Sequence, residues 1–144
     1  MSSALEYPET RYHAAPMVDL SSRDERERLG PPAVRAFFRI MDAWSVRDEE
    51  ARLLLGGMSN GAYYAMKKQP ERVLDEDRLR RVSLIVGIFK ALNILYDEAL
   101  ADRWMQLPNR NRLFSGHTPL SFVITGGLPA MATLRRLLDA RRGG

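Results

Sequence analysis

The stretch from Asp75 to Tyr96 constrains this chain most. It reads Asp-Glu-Asp-Arg-Leu-Arg-Arg-Val-Ser-Leu-Ile-Val-Gly-Ile-Phe-Lys-Ala-Leu-Asn-Ile-Leu-Tyr. Asp75 suits a helix N-cap, and Glu76 and Asp77 suit the positive end of the helix dipole. Apolar residues recur at Leu79, Val82, Ile85, Phe89, Leu92 and Tyr96, which is helical spacing. A second apolar stripe runs through Leu84, Ile88, Ala91 and Leu95. A helix apolar on two sides is buried on two sides. At ~1.5 Å per residue it spans roughly 30 Å, the width of a small domain. Such a helix is either an ordinary core helix or a spine joining two functional halves. Its second face also predicts a homodimer, because a chain this size need not cover both sides. Gly87, Lys90 and Asn93 interrupt the apolar run, so it does not read as a membrane span.

The rest of the chain reads as shorter helices. Residues 1–32 look like a flexible N-terminal segment with no sustained period, closed by a break at Gly30-Pro31-Pro32. Ser22 can cap a short helix inside it, over Arg23–Leu29. The first body helix is expected at Ala33–Trp44, with Val34, Phe37, Ile40, Met41 and Trp44 apolar. A second helix through Glu49–Leu55 ends at Gly56-Gly57, and Ser59 caps a third at Asn60–Lys68. After the spine, Glu98–Leu107 continues as helix and Arg110–His117 forms a loop with Leu113 and Phe114 tucked in. Thr118 then caps a short helix that stops at Gly126-Gly127, and Leu128–Arg142 forms the last one. No stretch reads as a strand.

Composition removes several function classes. None of the 144 residues is a cysteine and only two are histidines, so thiolate chemistry and a structural zinc site are excluded. The opening residues lack a basic-then-apolar leader, which together with the missing cysteines predicts a cytoplasmic protein. Ser115-Gly116-His117 has no recognisable base-orienting partner, and no phosphate-binding glycine loop is present, so the chain is not expected to be an enzyme or to carry a cofactor. The net charge is +4, and from Leu100 onward seven arginines face only Asp102 and Asp139. Such a surface is either simply solvated or suited to an anionic partner.

Glu49–Lys68 has the form of a helix-turn-helix: two short helices around a glycine turn. In that arrangement the second helix enters the major groove. Ser59, Asn60, Tyr63, Tyr64, Lys67 and Lys68 are the exposed candidates for operator DNA, through an adenine-pairing amide, hydroxyls and ammonium groups. Gly61, Ala62 and Ala65 offer few donors, and Leu53 is bulky where the first helix of such a pair presents a small residue. A purely structural helical pair is the alternative.

Downstream, Trp104, Pro108 and Asn109 form a W-x-x-x-P-N run, followed by L-F-x-G-x-x-P-L from Leu113 to Leu120 and an amphipathic helix. This resembles the C-terminal domain of Xre-type antitoxins, the Xre/MbcA/ParS group that partners RES-domain toxins. Glu49–Gly56, Ser59, Tyr63-Tyr64 and Leu79–Tyr96 resemble the family's upstream helices, so the likeness covers residues 33–142. It implies an all-α fold in which an Xre-like helix-turn-helix domain (residues 33–96) leads through the long central helix into a helical toxin-binding domain (residues 97–144). It also implies an antitoxin that blocks the NAD-using site of a RES-domain toxin and represses its own operon as a DNA-binding dimer. The toxin would be held by Trp104, Pro108, Asn109, Arg110, Arg112, Arg135, Arg136, Leu138, Arg141 and Arg142. The tail Arg141–Gly144 is expected either to enter the toxin cleft, its carboxylate at a phosphate position or its arginines on an acidic rim, or to be simply a frayed terminus. A stand-alone helix-turn-helix regulator with a C-terminal dimerisation domain is the competing expectation.

Overall fold

In a computed structural model, which describes residues 19–71 and 74–143, the fold is all-α. Its helices are α1 (Arg23–Ala43), α2 (Asp48–Leu54), α3 (Asn60–Lys68), α4 (Glu76–Leu95), α5 (Glu98–Arg103) and α6 (Pro119–Arg141). Short 3-10 turns lie at Trp104–Gln106 and Arg112–Phe114. Among the described residues no helix is long and apolar enough to cross a membrane. The expected tail over residues 1–18 and the terminal Gly144 lie outside the described residues.

The spine is α4. The Arg78 N–H donates to the Asp75 carboxylate at 2.8 Å, which satisfies one of the orphan donors of the first turn. The helix ends where Tyr96 turns extended. Leu79, Val82, Ile85, Ile88, Ala91 and Leu92 are buried along it, and it packs between α1 and α6. Both apolar stripes therefore find cover inside one chain at their centres, with Leu84, Phe89, Leu95 and Tyr96 left half-buried.

The expected break at Gly30-Pro31-Pro32 is corrected: α1 runs straight through it, from Arg23 to Ala43. The Ser22 hydroxyl accepts from the Glu25 N–H, so the cap lies well upstream of the prolines. The two prolines delete the bonds that would reach the carbonyls of Glu27 and Arg28. Both of those residues are exposed, where water can take the place of the missing donors. Packing of Leu29, Gly30 and Val34 against the body then carries the helix across the defect.

The glycines downstream behave as breaks. Gly56 and Gly57 take φ of 87° and 78° and turn the chain between α2 and α3. Gly127 sits inside α6 at φ 65°, ψ −147°, a conformation open only to glycine, and splits that helix into two segments. Pro129 follows as one of the first residues of the second segment, where its missing N–H costs nothing.

One hydrophobic cluster runs from Val34 to Leu138 and includes residues from all six helices. Polar ties reinforce it. Gln106 donates to the Trp44 and Ser45 carbonyls, each at 3.3 Å, fastening the 3-10 turn after α5 to the end of α1. The Arg135 side chain of α6 lies on Gly87 of α4, where an added Cβ would overlap the guanidinium. The two segments of α6 are thus held against a spine whose surface is cut away to receive them.

Candidate functional site

Two surfaces carry the chemistry singled out in the sequence. The first is α3. Ser59 caps it, its hydroxyl accepting from the Ala62 N–H at 3.2 Å. Asn60, Tyr64, Lys67 and Lys68 are exposed, as expected, with Tyr64 50% accessible. Tyr63 is not: it is fully buried, and its place among the exposed candidates is corrected. The i, i+3 pair Tyr63 and Met66 forms the inward stripe of α3. Tyr63 makes edge contacts with Phe38 and Tyr64, at ring separations of 5.6 and 5.1 Å. Leu53 faces solvent at 40% exposure, and the small residue turned inward on α2 is the fully buried Ala51.

The electrostatics of this surface are largely internal. Lys67 donates to the Asp48 carboxylate at 2.8 Å, and the Tyr63 hydroxyl donates to the same oxygen at 2.7 Å. These contacts hold the Asp48 carboxyl below its ordinary range, the Lys67 bond being the main cause, and the same bond raises the Lys67 ammonium. Burial first, and then the Asp48 contact, pushes the Tyr63 hydroxyl far up. Asp48 and Glu49 line a shallow cleft with Arg52, Asn60, Tyr63 and Tyr64, so the opening between α2 and α3 is acidic on one wall. Arg52 closes the turn by donating to the Met58 carbonyl at 2.9 Å.

The second surface spans the chain from α5 to the end of α6. An aromatic run organises it. Tyr96 stacks on Trp104 at 6.4 Å and 22°, Phe114 meets Trp104 edge-on at 6.1 Å, and Phe122 meets Phe114 at 5.4 Å. Trp104 is 6% exposed and Leu138 is fully buried. Both anchor the core, which corrects their placement among residues that touch a partner directly. Asn109 and Asn111 build successive turns, their side chains accepting from the N–H groups of Asn111 and Leu113, each at 2.9 Å. Ser115 and His117 are exposed and share no hydrogen bond.

The arginines of this half divide into two groups. Arg135 and Arg142 both pair with Asp139, at 3.0 and 3.3 Å. Arg142 is folded inward, with only 14% of its side chain exposed, so the expected free tail is shorter than Arg141–Gly144. Arg136 donates to the Thr133 hydroxyl and Arg141 to the Tyr96 hydroxyl, both exposed. Arg103, Arg110 and Arg112 are exposed, and their side chains make no ion pair or hydrogen bond among the described residues. Pro108 is exposed beside them.

Sequence reasoning missed three features. The aromatic run left a trace in its residue types, but the partners lie too far apart in the chain for pairing to be read. The Lys67–Asp48 bond spans nineteen positions. Arg81 of α4 reaches the α2–α3 turn and lies near the α6 kink, with no local signal at all.

Comparison with known proteins agrees with this second surface. Residues 90–144 match the family described as the antitoxin Xre/MbcA/ParS C-terminal toxin-binding domain. The chain is 36% identical over 115 residues to the uncharacterized protein y4oB of Sinorhizobium fredii (strain NBRC 101917 / NGR234), covering 79% of this chain and 87% of that one. No solved structure matches. The matched segment begins on the last turns of α4 and contains the aromatic run, the unpaired arginines and both segments of α6. The chain belongs to the Xre-type antitoxins and binds a toxin through this C-terminal domain.

Proposed function

We propose that this antitoxin neutralises a RES-domain toxin by seating the surface around Arg103, Arg110 and Arg112 against the entrance of the toxin's NAD-using site. The observation that carries this reading is the set of exposed, unpaired guanidinium groups inside the matched domain. A cation left without an internal partner keeps its full capacity for charge-assisted hydrogen bonds. Arg136 and Arg141, held only by neutral hydroxyls, extend the same face along α6. The W-x-x-x-P-N and L-F-x-G-x-x-P-L runs support a RES-domain toxin as the partner. The chain acts by occupying a surface and catalyses nothing.

The second role is autorepression. Two short helices around a left-handed glycine turn, the second capped by Ser59, support a helix-turn-helix reading. With Tyr63 buried and Lys67 tied to Asp48, the contacts to operator DNA fall to Ser59, Asn60, Tyr64 and Lys68. Two copies would each present one α3 to a half-site. This arm rests on fewer free charges than the toxin arm and should bind DNA with a shallow salt dependence.

The test is co-expression with the adjacent open reading frame. The neighbour alone should stop growth and deplete cellular NAD, and the full-length chain should restore both and co-purify with it. A harmless neighbour that is not captured would overturn the toxin reading and leave a free-standing regulator.

A further inference from the structure

We infer that Arg81 is a positioning residue that couples the α2–α3 turn to the kink of α6. The inference rests on reading those two regions as separate binding surfaces. Arg81 lies in the second turn of α4 and is 17% exposed. Its Nε donates to Asp77 at 2.9 Å, which fixes the side chain along α4. From there the guanidinium reaches in two directions. Its Nη1 points to the Leu54 carbonyl at the end of α2, 3.5 Å away, and a Cβ added to Gly56 would lie 3.3 Å from Cζ and Nε. On the other side, a Cβ added to Gly127 would lie 3.8 Å from both Nη1 and Nη2.

One planar group therefore lies between two glycines at positive φ, 87° in the turn and 65° in the kink, and a side-chain carbon at either would touch it. These are points where the backbone departs from helix and small dihedral changes swing whole segments. Gly56 sets how α3 leaves α2. Gly127 sets how the second segment of α6, with Arg136 and Arg141, leaves the first. A rigid fork that bonds to the Leu54 carbonyl and faces Gly127 transmits a shift at one to the other, whereas a flexible ammonium would not. Occupation of the α6 surface then changes the pose of α3 by reorienting Arg81, and the reverse holds with equal strength, because coupling between binding sites is reciprocal.

The test begins without any partner, on the full chain, by amide hydrogen exchange and chemical shift. Gly127→Ala disturbs the kink, and the reporters are the Gly56 and Gly57 amides, which bond to the Leu53 and Arg52 carbonyls. Gly127→Ala should speed exchange at both amides several-fold in the native background and leave them unchanged in an Arg81→Met background. Direct packing of α2 on α6 is present in both backgrounds, so it cannot produce that difference. Arg81→Lys keeps the charge and guards against a misfolded Met variant. It should also lose the response, and a retained response would overturn the role of the planar fork. The same response with and without Arg81, or none in either, overturns the inference. A second arm measures operator affinity with and without the toxin, where the native chain should change several-fold and Arg81→Met should not. A chain that passes the amide test but binds no operator upholds the link and overturns the DNA reading instead.

Discussion

On α3, the ammonium of Lys67 sits 2.8 Å from Asp48, and the tyrosine beside it in the fold spends its hydroxyl on the same carboxylate. Between α5 and α6, Arg103, Arg110 and Arg112 extend into solvent with no partner among the described residues. Both regions are basic in sequence, yet α3 leaves only Lys68 free where the second region leaves three guanidinium groups. An internal pair fixes local geometry and gives up reach. A free guanidinium contributes little to folding and keeps its interaction energy for whatever docks. The contrast separates a surface that mainly holds itself together from one whose charges stay available.

The largest break in that contrast should come from removing its shared support. Trp104→Ala deletes the centre of the aromatic run and should cost roughly 3–5 kcal/mol in urea unfolding. The loss should appear in a single transition for the whole chain, because one cluster spans all six helices. Two separate transitions would show that the α2–α3 region stands alone. Gly87→Leu comes next. Its side chain competes with Arg135 for the same space, and overpacking of this kind costs about 1–3 kcal/mol. Calorimetry should show part of that recovered when Arg135→Ala is added, and no recovery would mean that the Arg135 contact is incidental.

Two smaller effects sharpen the comparison itself. Arg110→Glu with Arg112→Glu should leave stability within about 0.5 kcal/mol. It should slow toxin association by roughly tenfold at low salt, as loss of steering charge does. Unchanged association rates would remove these residues from the interface. Asp48→Asn should do the opposite, altering stability and sparing toxin capture. The sign with pH follows from the two shifts. The Asp48 carboxyl is held low, so its contribution is present above about pH 4, the unfolded value, and fades as pH drops through the lower folded value. Lys67 is raised, so its contribution is complete below about pH 10 and fades as pH climbs through the higher folded value. The melting difference between native and variant chains should be flat across neutral pH and shrink at both extremes. Solvent screening keeps it under about 1 kcal/mol, because both side chains are more than a third exposed.

What the sequence made legible was local. Asp75, Ser59 and Thr118 cap their helices because a side chain reaches an N–H three residues on, and that needs no tertiary context. The stop at Gly126-Gly127 reflects a backbone state that only glycine supplies. The failures lie where distant residues decide. Pro31 and Pro32 look like a terminator, and burial of Gly30 and Val34 overrides them. Tyr63 looks like a groove reader, but the same i, i+3 spacing that links it to Met66 turns it inward. Leu138 lies in a face that seemed open to a partner and is covered by the core. The arginines were legible as charge. Which were already engaged was not, because the pairing of Arg135 and Arg142 on one aspartate depends on how the end of α6 lies.

The cluster running from Val34 to Leu138 has a consequence for how this inhibitor disappears. The toxin-binding half has no core of its own. Its last helix rests on α4, and α4 rests on α1. A protease that cuts within α1 or α4 therefore withdraws the floor beneath the arginine face. Degradation is then expected to act as an on–off event, and limited proteolysis followed by toxin capture should find no fragment that still binds.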